Sequence, residues 1–225
     1  MPIRSPAPFR SLARRACLAL GLAAAAGSAA AADPAPAITI IDADEIVFDR
    51  SQVEWAESYL QWIAAFARGS SPSSDTTGAQ CGAKQGGEVW FLASSDGTQA
   101  VVRDCAIPAG KTLFVPLVST TERSNSGEPD CGAMARQAAG VLAHVSRLSM
   151  TIDGREVGGL QNHRQPTGEC FALDARQASR SATKAAVADG YYVMLQPLPP
   201  GSHAIVVEAR IDGTTLSTTY HLDVR

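Results

Sequence analysis

Between Val53 and Phe66 the large apolar side chains recur at helical spacing. Trp55, Tyr59, Trp62 and Phe66 follow one another at intervals of four, three and four. That spacing predicts a helix over VEWAESYLQWIAAF, stopped by Gly69 and the SSPSSDTTG run. Its aromatic face is expected to pack against a sheet; an aromatic binding platform is the sharper alternative. Upstream, ITIIDADEIVF (38–48) reads as extended and is expected to give an edge strand.

From Glu88 the period changes to that of strands. EVWFLASS, TQAVVRDCAI and KTLFVPLVS are rich in β-branched and aromatic residues, with Ser95-Asp96-Gly97 and Pro108-Ala109-Gly110 between them. Short turns between such runs predict an antiparallel meander. Helical spacing returns over 131–148, with Met134, Val141, Leu142, Val145 and Leu148 on one side. Asp153-Gly154 then stands at a two-residue hairpin turn. Residues 158–189 are polar and irregular. YYVMLQPL, SHAIVVEARI and TTLSTTYHLDV follow as three strands, joined by PPG and by Asp212-Gly213. Counting outward from the second turn pairs Ile211 with Thr214, Ile205 with Tyr220 and His203 with Leu222. One face of that hairpin carries His203, Ile205, Val207, Leu216, Tyr220 and Leu222 and is expected in the core. The other carries Val206, Glu208, Ser217, Thr219 and His221 and is expected to be at least partly wet. The pattern predicts a mainly β (α+β) fold, an antiparallel β-sandwich with about two packed helices.

The first residues change the picture of where this domain works. Arg4, Arg10, Arg14 and Arg15 precede the apolar run ACLALGLAAAAGSAAAA, and no acidic residue occurs before Asp33. A basic stretch, a short apolar stretch and an A-x-A site are the parts of a Sec-type signal peptide. Signal peptidase admits only small side chains at −1 and −3. Ala32 and Ala30 fit, so cleavage is expected near Ala32, leaving 33–225 as one domain that is periplasmic or secreted. The run is too short and too Ala-rich for a retained span, and no later stretch is long and apolar enough to be one. Cys17 opens the apolar run instead of closing it, so no lipid anchor is expected.

Removing 1–32 takes four of the 19 basic residues and none of the 22 acidic ones, so 33–225 carries a net charge of −7 (15 basic, 22 acidic). An acidic chain with dispersed Lys and Arg speaks against nucleic acid and against anionic lipid. Four cysteines remain, Cys81, Cys105, Cys131 and Cys170, and an even number in an exported chain reads as two disulfides. Of the three possible pairings, Cys81–Cys105 and Cys131–Cys170 are expected, because each brackets one local unit. No C-x-x-C occurs, so zinc is poorly supported.

Signatures of chemistry are sparse. His144, His163, His203 and His221 are the histidines, with no H-x-H or H-E-x-x-H spacing, so no metal site is expected. The sequence has no G-x-S-x-G elbow, P-loop or G-x-G-x-x-G, so neither a serine hydrolase of that type nor a nucleotide cofactor is expected. One polar constellation flanks Cys81 and Cys105: Asp75, Gln85, Glu88 and Arg103, with Trp90 nearby. Two carboxylates beside an arginine suit acid–base work on a sugar, or hydrogen bonding to a glycan stacked on Trp90. The plainer expectation is that Arg103 pairs with Asp75 or Glu88 to fix the loop.

Motifs from Trp55 to Pro116 also resemble a family. They are Trp55 and Trp62, Thr77-Gly78 before Cys81, Gln85 and Gly87 before VWFLA at 89–93, and Arg103 and Cys105 before IPAGK at 107–111, then Phe114 and Pro116. Together with the C-terminal GYY…PLPPG-x-H-x-I…TYHL-x-V segment at 190–224, they are similar to exported bacterial proteins with no known activity. The resemblance implies a secreted β-rich domain and carries no catalytic residue across. The function expected is a non-enzymatic envelope or secreted binding domain for a carbohydrate or a protein. The alternative is a polysaccharide-active hydrolase or lyase using Asp75 or Glu88 with Arg103.

Overall fold

Nine strands make two sheets that face each other, in a computed structural model describing residues 38–67, 69–124, 128–173 and 185–225, besides Met1. The signal-peptide reading of 1–32 and the leader at 33–37 otherwise lie outside the described residues, as does 174–184 of the polar stretch. Pro36–Arg225 form one compact unit.

In chain order the elements are β1 (Ile40–Ile41), α1 (Gln52–Ala64), β2 (Val89–Phe91), β3 (Val101–Ile107) and β4 (Thr112–Ser124). Then come α2 (Cys131–Leu142), β5 (Val145–Ile152), β6 (Arg155–Glu156), a 3₁₀ turn (Leu160–Asn162), β7 (Ala185–Leu195), β8 (Gly201–Ile211) and β9 (Thr214–Val224). One sheet has the order β1-β7-β4-β2 and the other β3-β9-β8-β5-β6. The mainly β sandwich with two helices expected from the pattern is the fold observed.

The two inner faces meet in a core that includes Leu92, Ile107, Val115, Met150, Val193, Ile205, Tyr220 and Leu222. A second core lies on the outer face of the first sheet, where α1 packs. Tyr59 and Trp62 sit there against Phe91, Phe114 and Tyr192, with ring centroids 5.6 Å apart for Tyr59–Phe114 and 5.7 Å for Trp62–Phe91. The aromatic face of α1 is therefore core packing and not an open platform. β7 is buried on both faces, which explains its almost unbroken apolar run. Ser51 starts α1 with a capping box, its hydroxyl accepting from the Glu54 N–H while the Glu54 carboxylate accepts from the Ser51 N–H.

Both Asp-Gly hairpins form. Asp153 and Gly154, like Asp212 and Gly213, take positive φ, as a two-residue turn between twisted strands requires. Ile211 faces Thr214, Ile205 faces Tyr220 and His203 faces Leu222, the register expected from the sequence.

Four expectations are corrected. The runs at 88–119 are not a meander: β2 pairs β4 in parallel in one sheet, while β3 pairs β9 in parallel in the other. The chain crosses between sheets after β2 and crosses back through Pro108-Ala109-Gly110. Alternation and a short turn look the same in an arch between sheets as in a hairpin within one. The second helix ends at Leu142, and Val145 and Leu148 belong to β5. Finally, the first of the C-terminal strands begins at Ala185, within the stretch read as irregular. At the N-terminal edge only Ile40–Ile41 of 38–48 is a strand.

Pro116 sits inside β4 without cost. β2 reaches only as far as Phe114 along one side of β4, and on the other side the register with β7 shifts between Pro116 and Val118. A proline that lacks an N–H is tolerated at such a bulge.

Candidate functional site

Of the constellation predicted around Arg103, only the backbone of Asp75 meets the guanidinium, which acts as a staple. Arg103 is buried, at 1% exposure, and its guanidinium faces backbone carbonyls. Nε donates to the Asp75 carbonyl at 2.7 Å and Nη2 to the Ser73 carbonyl at 3.0 Å; Nη1 donates to the Ala93 carbonyl, and Nη2 also reaches the Ser94 carbonyl at 3.5 Å. No carboxylate pairs with it, contrary to the expected Arg103–Asp75 or Arg103–Glu88 ion pair.

Asp75 is occupied within its own loop. Its carboxylate accepts from the Thr77 N–H and hydroxyl, both at 2.9 Å, and from the Gln80 N–H at 2.7 Å. Partial burial opposes the charge, but these bonds outweigh it and hold the carboxyl below its ordinary range. A carboxyl held ionised is a poor proton donor at neutral pH. Glu88 is exposed at the start of β2, where its backbone carbonyl accepts from Thr112. Gln85 gives its amide to the backbone of Phe91, donating to the carbonyl at 2.7 Å and accepting from the N–H at 3.2 Å, so a side chain stands in for a ladder partner of β2. Trp90 is buried in the inner core and offers no stacking face.

The same residues explain the Thr77-Gly78…Cys81 motif. The loop lies along the edge of β3, with the Asp104 N–H donating to the Thr77 carbonyl. Gly78 has φ +95°, and a Cβ there would sit 2.3 Å from the Asp104 carbonyl oxygen, so no side chain fits. Cys81 is bonded to Cys105, and Cys131 to Cys170, the two pairings expected. Two disulfides fit an oxidising compartment. The edge of the sandwich where β2 lies near β3 is thus closed by a covalent bond, a buried guanidinium and a docked loop.

The opposite edge is open. Between β1 and the β5–β6 hairpin lies a cleft of about 980 Å³, walled by Ile38, Ile40, Ile152 and Val157 and floored in part by Gln52 and His163. Segment 163–171 runs beside β7 where β1 stops: the Tyr192 N–H donates to the His163 carbonyl and the Gln165 N–H to the Gly190 carbonyl. Gln165 Nε2 donates to the Ala43 carbonyl at 2.8 Å, and Gln52 Nε2 donates to the Asp42 carbonyl. Arg164 holds the buried Asp189 with two bonds, Nε to Oδ1 at 3.0 Å and Nη2 to Oδ2 at 2.6 Å. Gln52 Oε1 and His163 Nδ1 are buried without a hydrogen-bond partner. Burial pushes the His163 pKa down, against a smaller pull upward from Asp42.

The sequence reading did not single out Gln52, His163, Arg164 or Asp189 as a site. The one available signal was Asp189, a carboxylate inside an apolar strand, which demands a buried partner.

The remaining histidines pair with aspartates: His144 with Asp212 at 2.5 Å, His221 with Asp104 at 3.0 Å and His203 with Asp153 at 2.7 Å. Among the described residues no group of three His, Cys, Asp or Glu could hold a metal ion. No helix among them is long and apolar enough to cross a membrane.

His203 is flanked by two acceptors, Asp153 at Nδ1 and the Pro199 carbonyl at 2.9 Å from Nε2, and only the doubly protonated ring donates to both. Burial opposes that charge, but the two hydrogen bonds outweigh it and raise the pKa above 6.5. Asp153 is partly buried too, yet the bonds from His203 and the Ala204 N–H lower its pKa below 3.8. The His203 contribution to stability is full below its unfolded value and is lost as pH rises through the folded one. The Asp153 contribution is present above its unfolded value and is lost as pH falls through the folded one. The pair therefore stabilises most between those two limits. Melting scans from about pH 5.5 to 8.5 should show a steeper decline in Tm for the parent than for His203→Gln. Parallel curves would mean that the pair is not coupled to folding.

No family model matches the chain, and no curated protein matches it. Two solved structures show a slight likeness. The structure of PbICP-C in complex with falcipain-2 is 9% identical at a TM-score of 0.28, and the solution structure of amebosin is 12% identical at 0.21. In each case 62% of this chain and all of the other is covered. Likeness at this level carries no argument about fold or function.

Proposed function

We propose that this chain is an exported, non-enzymatic binding domain of the envelope or medium, of the kind its motifs resemble, with its ligand seat in the cleft between β1 and the β5–β6 hairpin. The observation that carries the reading is the cleft itself. It is about 980 Å³ in volume, and hydrogen bonds from Gln52 and Gln165 to the chain after β1 hold its walls in place. Small-molecule sites are concave, preformed and of comparable size. The ligand is a carbohydrate or a segment of another protein. A glycan would bind by hydrogen bonds at the rim, because Trp90 lies in the core.

The alternative enzyme using Asp75 or Glu88 with Arg103 draws no support from the geometry. Arg103 is spent on carbonyls, Asp75 is spent within its loop, and Glu88 is an exposed side chain.

The test is an NMR titration of the disulfide-bonded protein with cello-, chito- and malto-oligosaccharides and with short peptides. Shift changes clustered over residues 152–165, and abolished by Val157→Trp, which fills the cleft, are expected. Shifts scattered elsewhere, or none with any compound, would rule the cleft out as the seat.

A further inference from the structure

The polar groups of the cleft are strongly biased toward accepting. Asp42, Asp44 and Glu156 line it as exposed carboxylates, which accept and never donate when ionised. Gln52 is 2% exposed, and its amide nitrogen is committed to the Asp42 carbonyl, leaving Oε1 as an unpartnered acceptor. His163 is 7% exposed, and its Nδ1 has no partner. Burial keeps that ring neutral, so one of its nitrogens is an acceptor.

One of the two arginines of the lining is already balanced. Arg164 is tied to Asp189 by two bonds, whereas Arg155 is an exposed guanidinium on the hairpin whose neighbour Asp153 is already paired with His203. The three lining carboxylates outnumber the one cation left to face them, Arg155. A site offering an excess of negative charge at its walls and the unpaired Gln52 Oε1 acceptor in its depth is complementary to a cation rich in N–H donors. It is not complementary to a phosphate, a carboxylate or a neutral hydrocarbon.

We propose that the cleft binds a protonated amine, with the ammonium seated among Asp42, Gln52 and His163 and the apolar remainder lying against Ile38, Ile40 and Val157. This rests on the cleft being a ligand seat and names the chemistry it selects. An ammonium brings three donors and a compact charge, and it can come from a polyamine, an amino sugar or a lysine side chain.

The experiment is calorimetry and NMR on the mature, disulfide-bonded chain with three probes: spermidine, D-glucosamine and Nα-acetyl-lysine methylamide. N-acetylglucosamine and Nα,Nε-diacetyl-lysine methylamide serve as uncharged controls. At least one amine is expected to bind at millimolar affinity or tighter and to move the His163 ring resonances, and binding should weaken with added salt. Asp42→Asn should lower affinity about tenfold or more with thermal stability retained, which separates lost contacts from lost fold, whereas Gln52→Leu should lower both affinity and stability because its bond to the Asp42 carbonyl is lost as well. Which probe binds identifies the source of the amine. If an acetylated control binds as well as its parent amine, the inference fails while the cleft stands as a seat. If neither amines nor controls shift His163 at about 10 mM, and the oligosaccharides and peptides are also silent, both readings fail together.

Discussion

Replacing Arg103 with methionine should destabilise the oxidised protein by about 2 to 6 kcal/mol, because two carbonyls lose their donor at about 1 to 3 kcal/mol each. Four carbonyls face the guanidinium, and they do not all suffer equally. The Ala93 carbonyl keeps the Tyr220 hydroxyl at 2.7 Å, and the Ser73 carbonyl keeps the Asp96 N–H at 3.3 Å. Those of Asp75 and Ser94 lose the guanidinium outright, in a region the side chain itself fills. Lysine at 103 should recover only part of the loss, because a single ammonium cannot span carbonyls arranged around a planar fork. Urea unfolding of the three proteins checks this. A loss below about 1 kcal/mol for Arg103→Met would mean that the loop holds to β3 by the disulfide and Thr77 alone.

Removing Cys131–Cys170 by a double alanine substitution should cost about 4 kcal/mol. The bond closes a separation of 39 residues, and the entropy it withholds from the unfolded chain grows with loop length. Cys131 opens α2, whose Leu142 packs with Val118 and Ala209, so the bond also anchors the helix covering that end of the sandwich. The effect should appear mainly as a lower urea midpoint, with a smaller change in binding of the cleft probes, since Cys170 lies at the far end of the 163–171 segment from His163. Equal midpoints for parent and double variant would show that the unfolded chain is already restricted without the bond.

How much of this was legible in the sequence depends on range. The β8–β9 hairpin was read to the residue, because Asp212-Gly213 fixes the register and alternation fixes the faces. The disulfide pairings were legible from bracketing. The placement of β2, β3 and β4 was not, because the pattern of a strand does not record which sheet it joins. Arg103 stands in the constellation read from the sequence, but its partners are carbonyls, and main-chain acceptors leave no mark on a sequence. His163 and Gln52 converge from segments 111 residues apart in the chain, His163 in a stretch with no periodicity to read. Only the sheet order brings them together.

The two edges of the sandwich differ in a way that bears on mechanics. At one, a disulfide ties the loop before β2 to β3, and Arg103 of β3 donates to the Ala93 carbonyl just after β2. At the other, β1 and β6 are two residues each and end without pairing across the gap. A small parting of the sheets is therefore resisted least at the cleft and most at the staple, which acts as the pivot. Such a motion changes the width of the cleft while leaving the β8–β9 ladder unstretched. A ligand that draws the walls of the cleft together would stiffen the soft edge of the domain and leave the rigid one as it was.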